Sequence, residues 1–596
     1  MDSRSFDLYQ HLRADLFRYV GGDCAEYTTA QHFNVWPGIS LKQFACIHLL
    51  NNILKKFEGA TAEDAEAKAA ALFLDMNNRC KDFSDVCKEN ITELESMAVD
   101  YALSELHQFF IDDDGFALLN APRILANLGV GPGASVGTSG NSHFHKFFGG
   151  PITCTSAGLA RLIADELATN NPSLAEAESI RREFFGDVRI VPGNVLSFAY
   201  KNTTIARVIC TEPSENMKFQ KGIQYVLERQ LERRFGINLS VQPEKNALLC
   251  KIGSMNQHYD STDLRSASDC VAYLLLKRYI PSGSFGWLNA SRSPGTTVLG
   301  DFHELHMMSS MGNAFTFPLQ TTLFSCIVIG CYKALGIDVI FPRGGAPGFG
   351  GSLGNFGVFG DDIVTVARAT DLVHRVLTRF GFLVNKDKSF SDGDFRESCG
   401  SDYKSGHDVR AVYVRTLNTP QDVACAYNLL SAWSCNQDVK IPSTLALLRS
   451  WGIGEVPDVP PHEGVTAGFW TPLAFARGVT LDENGAALYN RYVPKSRSLR
   501  IERRGRDRVI KSKPGKKKRH KPWCVNNLGF IISASAGYAR GGEIMLRQPA
   551  GVPPKYQKLI GISPGWDYTP IEFDGYFTRR GFARWRRKTS ARDLAW

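Results

Sequence analysis

At 596 residues the chain exceeds what one hydrophobic core can organise and calls for two to four subdomains; 43% hydrophobic and 22% charged residues are ordinary globular proportions. No apolar run is long enough to span a bilayer, since the best candidate, residues 323–331, is stopped by Lys333, and no apolar stretch follows Met1-Asp2-Ser3-Arg4 as in a secretory signal. The 14 cysteines are never spaced Cys-x-x-Cys, which argues against a zinc ribbon or a small disulfide scaffold and suits a reducing cytosol.

The net charge of +9 hides an asymmetry. Residues 491–596 carry 26 Lys+Arg against 7 Asp+Glu, whereas residues 1–490 carry 43 against 53. Such polarity suggests a polyanionic partner near the C-terminal region, or a solubilising tail.

In chain order, residues 1–130 are predicted mostly helical, with apolar residues at mixed three and four spacing over 61–76 and 91–110. Asp112-Asp113-Asp114, followed by Gly115, suits a loop better than a metal site. Residues 131–141 are rich in Gly and Ser and precede Ser142-His143-Phe144-His145-Lys146-Phe147. That pairing can bring backbone amides to phosphates and rings to bases, or form a plain surface loop. Strands over 188–191, 195–200 and 208–210 flank a polar loop with Lys201 and Arg207 at its ends. Two such cations can neutralise a triphosphate; without context they are simply exposed.

Tyr259-Asp260-Ser261-Thr262-Asp263 predicts a short strand ending near Asp263, and an apolar helix through Val271, Leu274 and Leu275 follows, running to Pro281. Asp263 then points from a strand end, while Asp269 enters the first turn of the helix, beside the site or simply complementing the macrodipole. Ser309-Ser310-Met311-Gly312-Asn313 opens a long apolar helix reaching about residue 331. Small residues and an Asn there can make a lip for a sugar or phosphate, or merely cap the helix.

Val358-Phe359-Gly360-Asp361-Asp362-Ile363-Val364 predicts a β-hairpin with two carboxylates at its tip. An isolated Gly-Asp-Asp is most simply a solvated turn. Beside the strand-end Asp263 it completes a three-carboxylate set able to hold two hard divalent cations, Mg²⁺ or Mn²⁺. The glycine-rich stretch 344–354 just before it is expected to be a surface loop. An amphipathic helix over 371–380, a strand over 382–384 and Asn385-Lys386-Asp387-Lys388 follow. Strand, helix, helix, hairpin, helix, strand is an α+β order, suited to an antiparallel sheet with helices on one face.

Asp263-x5-Asp269, the run from Ser310 to Phe317, Gly360-Asp361-Asp362, Asn385-Lys386 and Phe395-Arg396-Glu397-Ser398-Cys399-Gly400 resemble, in order and spacing, motifs A to E of RNA-directed RNA polymerases. With the Lys201 to Arg207 loop, the last two resemble the replicase β subunit of single-stranded RNA bacteriophages, the leviviruses. The likeness covers roughly residues 125–415. Phe359 stands where that family often has Tyr, and the 344–354 insertion looks longer than usual.

The resemblance implies a right-hand polymerase: a helical region at 1–125, fingers at 126–255, a palm at 256–415, and a thumb with the basic region at 416–596. It implies replication of a viral RNA genome with two Mg²⁺ or Mn²⁺ ions held by Asp263, Asp361 and Asp362. Lys201 and Arg207 would grip the triphosphate, Asp269 and Asn313 would read the ribose 2′-hydroxyl, and Lys386 or Lys388 would protonate pyrophosphate. The implied partners are template and product RNA, nucleoside triphosphates, and host elongation factors Tu and Ts with a small-subunit ribosomal protein, in the cytoplasm of an infected bacterium and away from membranes. A reverse transcriptase-like polymerase would share the metal hairpin, and a non-catalytic RNA-binding subunit would need only the basic region. Within that region Lys516, Lys517, Lys518 and Arg519 are the strongest lure for RNA phosphates, expected in an exposed segment.

Overall fold

The computed structural model describes residues 3–20, 38–58, 64–86, 90–345 without 132, 139, 141 and 203, 351–495 and 497–500. Between 526 and 567 it describes 526–533, 535, 539–540, 543–546, 554–563 and 565–567. Helices and short, mostly antiparallel strands alternate along the chain, an α+β protein.

The larger of two main cores is built around the Thr316–Ala334 helix, whose side chains are almost all buried. A helix apolar on every face has to be enclosed by other elements, and here the Glu93–Phe109, Ser214–Phe235 and Thr370–Arg379 helices enclose it. Thr370–Arg379 buries Leu372, Val373, Val376 and Leu377, the face its sequence pattern predicts.

The second core joins residues from distant parts of the chain. Leu8, Leu12, Leu16 and Val20, spaced by four along the Ser3–Val20 helix, pack with the Leu41–Asn52 helix against residues 395–469. Asp15 fixes the junction by accepting the Thr444 amide (2.7 Å) and hydroxyl (2.8 Å). Helices of residues 1–125 are therefore divided between the two cores, since Ala65–Asp82 and Glu93–Phe109 belong to the first.

The central sheet has three antiparallel strands, with Asp362–Val366 between Tyr259–Thr262 and Gly357–Phe359. Beside it Leu383–Val384 pairs with Leu264–Arg265. The expected order of elements omits a helix, Ser282–Ser291, and a hairpin, Gly295–Val298 with Asp301–Glu304, which extends the Asn194–Tyr200/Ala206–Thr211 hairpin into a four-stranded sheet. Four-residue strands leave too little alternation to be read from sequence.

The 142–147 cluster differs from the reading that offers its rings to bases. Phe144 and Phe148 are buried with Phe530, His143 stacks on Phe147 at 4.4 Å, and the buried Lys146 donates to the Gly131 carbonyl at 2.6 Å. Asp112 does sit in a loop, accepting the amides of Asp114 and Phe116 and pairing with Arg123. Among the described residues no helix is long and apolar enough to cross a membrane.

Candidate active site

The hairpin forms with a two-residue connection. Asp362 pairs with Phe359, leaving Gly360 and Asp361 at the tip. Gly360 has φ +60°, and a Cβ on it would come within 2.4 Å of the Phe317 ring. Only glycine meets both conditions cheaply. Its amide donates to Thr321 Oγ1 (3.0 Å), tying the tip to the buried helix. The Phe359 ring packs edge-on against Phe317, centroids 4.6 Å apart, so a ring suffices here and a hydroxyl is unnecessary.

Register brings the third carboxylate. Ile363 lies opposite Thr262, so one step further along the antiparallel pair Asp263 comes opposite Asp362. Asp263 is held by Asn385 Nδ2 on its Oδ2 (2.7 Å) and by Ser389 Oγ on its amide (3.2 Å). The strand beneath is anchored by Arg396, fully buried, which donates to the Tyr259 carbonyl (2.7 Å) and to Asp260 Oδ1 (2.9 Å).

The acids are electrostatically crowded. Burial pushes Asp362 up to about 6; an amide hydrogen bond from Cys399 opposes this, and the charges of Asp361 and Asp263 add to it. Asp361 is open to solvent at the tip yet hemmed in by protein, so desolvation raises it too; Asp263 adds to the rise, and Arg207 and Lys388 oppose it. Burial and mutual repulsion, which raise Asp361 and Asp362 together, are relieved by a bound cation, so the pair is a donor set suited to a hard divalent ion. Among the described residues no three acidic, His or Cys side chains, Asp263, Asp361 and Asp362 included, converge closely enough to hold a metal ion by themselves. An open set is what Mg²⁺ uses when substrate phosphates supply the remaining ligands.

Cations face the acids. Lys388 Nζ lies 3.7 Å from Asp263 Oδ2; burial lowers its pKa, but Asp263, Glu397, Asp362 and Asp361 outweigh that and hold it above the ordinary value. Lys201, at the end of Asn194–Tyr200, is lowered by burial and then by the charges of Arg207, Lys388 and Lys55, with Asp263 opposing. Lys201, Arg207 and Lys388 therefore share one neighbourhood with the carboxylates. Lys386 instead lines a separate cavity with His374.

Asp269 and the 309–313 loop also meet. Burial pushes Asp269 up to about 6, against hydrogen bonds from the Ser268 hydroxyl and the Met311 amide. It does not enter the first turn of the helix as expected. It closes a 3₁₀ turn, Ala267–Asp269, and the helix starts only at Tyr273, because residues 271–272 run extended against 307–308. Asn313 is buried, and its Oδ1 accepts the Phe315 amide (3.0 Å) just ahead of the helix, leaving its amide nitrogen for another partner. Met311 accepts the Cys210 amide at 2.7 Å, and a Cβ on Gly312, φ +124°, would come within 2.1 Å of the Cys210 carbonyl. Contact this close joins the loop to the strand that carries Arg207.

The sequence reading missed Glu397. Burial, then Asp402 directly opposite it in the hairpin, pushes it up to about 7, with Lys388 and His48 opposing. A like-charge pair facing across two strands is a signal visible only once register is known. Lys516, Lys517, Lys518 and Arg519 lie outside the described residues, as do 346–350 of the glycine-rich insertion, whose ends are bridged by Arg343 and Ser352.

The chain belongs to the family described as RNA replicase, beta-chain, whose model matches residues 11–466. It is 32% identical to the RNA-directed RNA polymerase beta chain of Escherichia phage MS2 over 311 residues, 52% of this chain and 50% of that one. Similarity to the beta chain of Enterobacteria phage GA is 32% over 257 residues, 42% of this chain and 45% of that one, and to the subunit beta of Escherichia virus Qbeta 31% over 309 residues, 51% and 47%. The chain thus spans about half the length of the curated relatives it matches.

Proposed function

We propose that this chain is the catalytic subunit of an RNA-directed RNA polymerase that replicates a viral single-stranded RNA genome. The observation that carries the proposal is the register of the central sheet, which one step beyond the Thr262–Ile363 pair brings Asp263 opposite Asp362, beside the hairpin tip, with three cations near them. In this reading residues 126–255 act as fingers, 256–415 as palm and 416–596 as thumb with a basic region, and residues 1–125 as a helical region.

Asp263, Asp361 and Asp362 would hold two Mg²⁺ or Mn²⁺ ions. Bound there, the ions would lower the pKa of the primer 3′-hydroxyl and offset charge on the α-phosphate and pyrophosphate. Lys201 and Arg207 bind the triphosphate, two cations at one mouth of the site. Lys388, through its Nζ, gives a proton to the departing pyrophosphate; its 3.7 Å approach to Asp263 favours it over Lys386 for that role. Asp269, drawn toward the protonated form, and the amide nitrogen of Asn313 can each donate to a ribose 2′-oxygen, selecting ribonucleotides. Template sequence is read by base pairing, and the basic C-terminal region holds RNA phosphates without reading them. Partners follow the family resemblance: elongation factors Tu and Ts and a small-subunit ribosomal protein, in the cytoplasm of the infected bacterium.

The test is template-directed synthesis by the purified chain on single-stranded RNA with ribo- or deoxyribonucleotides, with and without bacterial extract. Ribonucleotide incorporation dependent on template and Mg²⁺ is expected. Incorporation of deoxyribonucleotides alone would make it a reverse transcriptase, and binding without synthesis in both conditions would leave only an RNA-binding subunit.

A further inference from the structure

Beside the Thr370–Arg379 helix lies a cavity of about 770 Å³ that the polymerase chemistry does not use. It is an open pocket bordered by the C-terminal end of Ala65–Asp82, the start of Glu93–Phe109, the Thr370–Arg379 helix and the strand edge at Val384. Its floor is apolar, with Phe83, Val86 and Cys270. Arg79, Arg375, Arg379 and Lys386 line it against two carboxylates, Asp82 and Glu95, a surplus of positive charge.

The cations are not equivalent. Glu95 is buried, yet Arg379 and Arg375, each 2.8 Å away, hold its carboxyl below the ordinary range, so both guanidiniums are partly committed. Arg79 and Lys386 form no ion pair with a described residue and keep their donors for a ligand. Burial keeps His374 neutral by lowering its pKa, and its Nε2 lies 2.9 Å from Thr262 Oγ1. Thr262 is the residue before Asp263. Cys270, on the floor, follows Asp269, and Cys80 Sγ contacts the Asp269 carbonyl at 3.5 Å. A ligand here would lie beside residues that touch Thr262 and the Asp269 carbonyl.

We infer that this cavity is a second binding site, for a nucleoside monophosphate group, whether free or at a 5′-phosphorylated RNA end. An apolar floor asks for a flat uncharged body, and free Arg and Lys donors at the rim ask for a phosphate ester. A volume of this order accommodates a whole nucleotide, being within the roughly 300–1,000 Å³ of small-molecule sites. The inference does not rest on the polymerase reading.

Calorimetric titration of the full chain with GMP in EDTA tests it, using Arg79→Glu, which reverses a rim charge, and Thr378→Trp, which fills the mouth. Both positions are exposed, so neither change disturbs a core. Binding at one site is expected, weakened at least about tenfold, about 1.4 kcal/mol, in both variants and unchanged in Lys201→Ala/Arg207→Ala, which alters the triphosphate grip instead. Comparing GMP with a 5′-phosphorylated dinucleotide tells free nucleotide from chain end; tighter binding of either supports the site. Equal affinity in native protein and both cavity variants overturns the inference. So does the absence of binding at millimolar GMP, or displacement of GMP by an equal concentration of inorganic phosphate.

Discussion

Replacing Asp362 by Asn should stabilise the metal-free protein while abolishing nucleotide addition. Burial and two neighbouring carboxylates push the Asp362 pKa up to about 6 from an ordinary 3.8. The folded state therefore binds that proton more tightly than the unfolded chain, and ionising it costs stability. A displacement of about two pH units corresponds to about 3 kcal/mol. Nothing is lost below the unfolded value; the cost grows as pH rises from about 4 to about 6 and is complete above that. Asparagine keeps a carbonyl oxygen for the Cys399 amide and for Ser398 Oγ, which lies 3.5 Å from Asp362 Oδ1, and carries no charge. In EDTA at about pH 7.5 the variant should be more stable by about 2–3 kcal/mol, an advantage that fades toward about pH 4. Urea denaturation followed across that range measures it. An Asn variant no more stable than the native protein, or a difference independent of pH, would refute the electrostatic account of the site.

Other outcomes follow from the same geometry. Lys388→Met should cut the rate of nucleotide addition about 10²-fold or more, the usual worth of a placed general acid, and Lys386→Met far less; equal losses in single-turnover assays would remove the distinction between them. Ala at Asp269 or Asn313 should weaken discrimination against deoxyribonucleotides by about 1–3 kcal/mol, measured as incorporation ratios in competition; an unchanged ratio with a slower rate would reduce both residues to supports for the turn and the helix start. Gln at Lys516, Lys517, Lys518 and Arg519 should weaken RNA binding and flatten the plot of log affinity against log salt by up to about 0.7 for each phosphate that is no longer neutralised. Unchanged affinity and slope, with failed assembly with host proteins, would make that run a protein-docking site.

The hairpin was legible because turn chemistry is local: glycine at a positive φ, flanking β-formers and two acids identify it without any partner. The end of the strand at Asp263 and the buried Thr316–Ala334 helix were legible for similar reasons. Choosing between Lys388 and Lys386 was not, because it depends on how residues 385–389 fold back on Asp263 through Asn385 and Ser389. Glu397 was hidden in a motif read as a signature, its meaning fixed by pairing with Asp402 and by a distant N-terminal helix that supplies His48. The split of the N-terminal helices between two cores lies in contacts no local pattern records.

The most direct measurement is single-nucleotide addition by Asp361→Asn beside its RNA affinity. The amide keeps the size of the side chain and removes a charge from the set of three. Addition should be lost while RNA affinity stays near that of the native chain, and Asp263→Asn should behave alike. Addition near the native rate in Mg²⁺ by either variant would contradict the assignment of the three carboxylates.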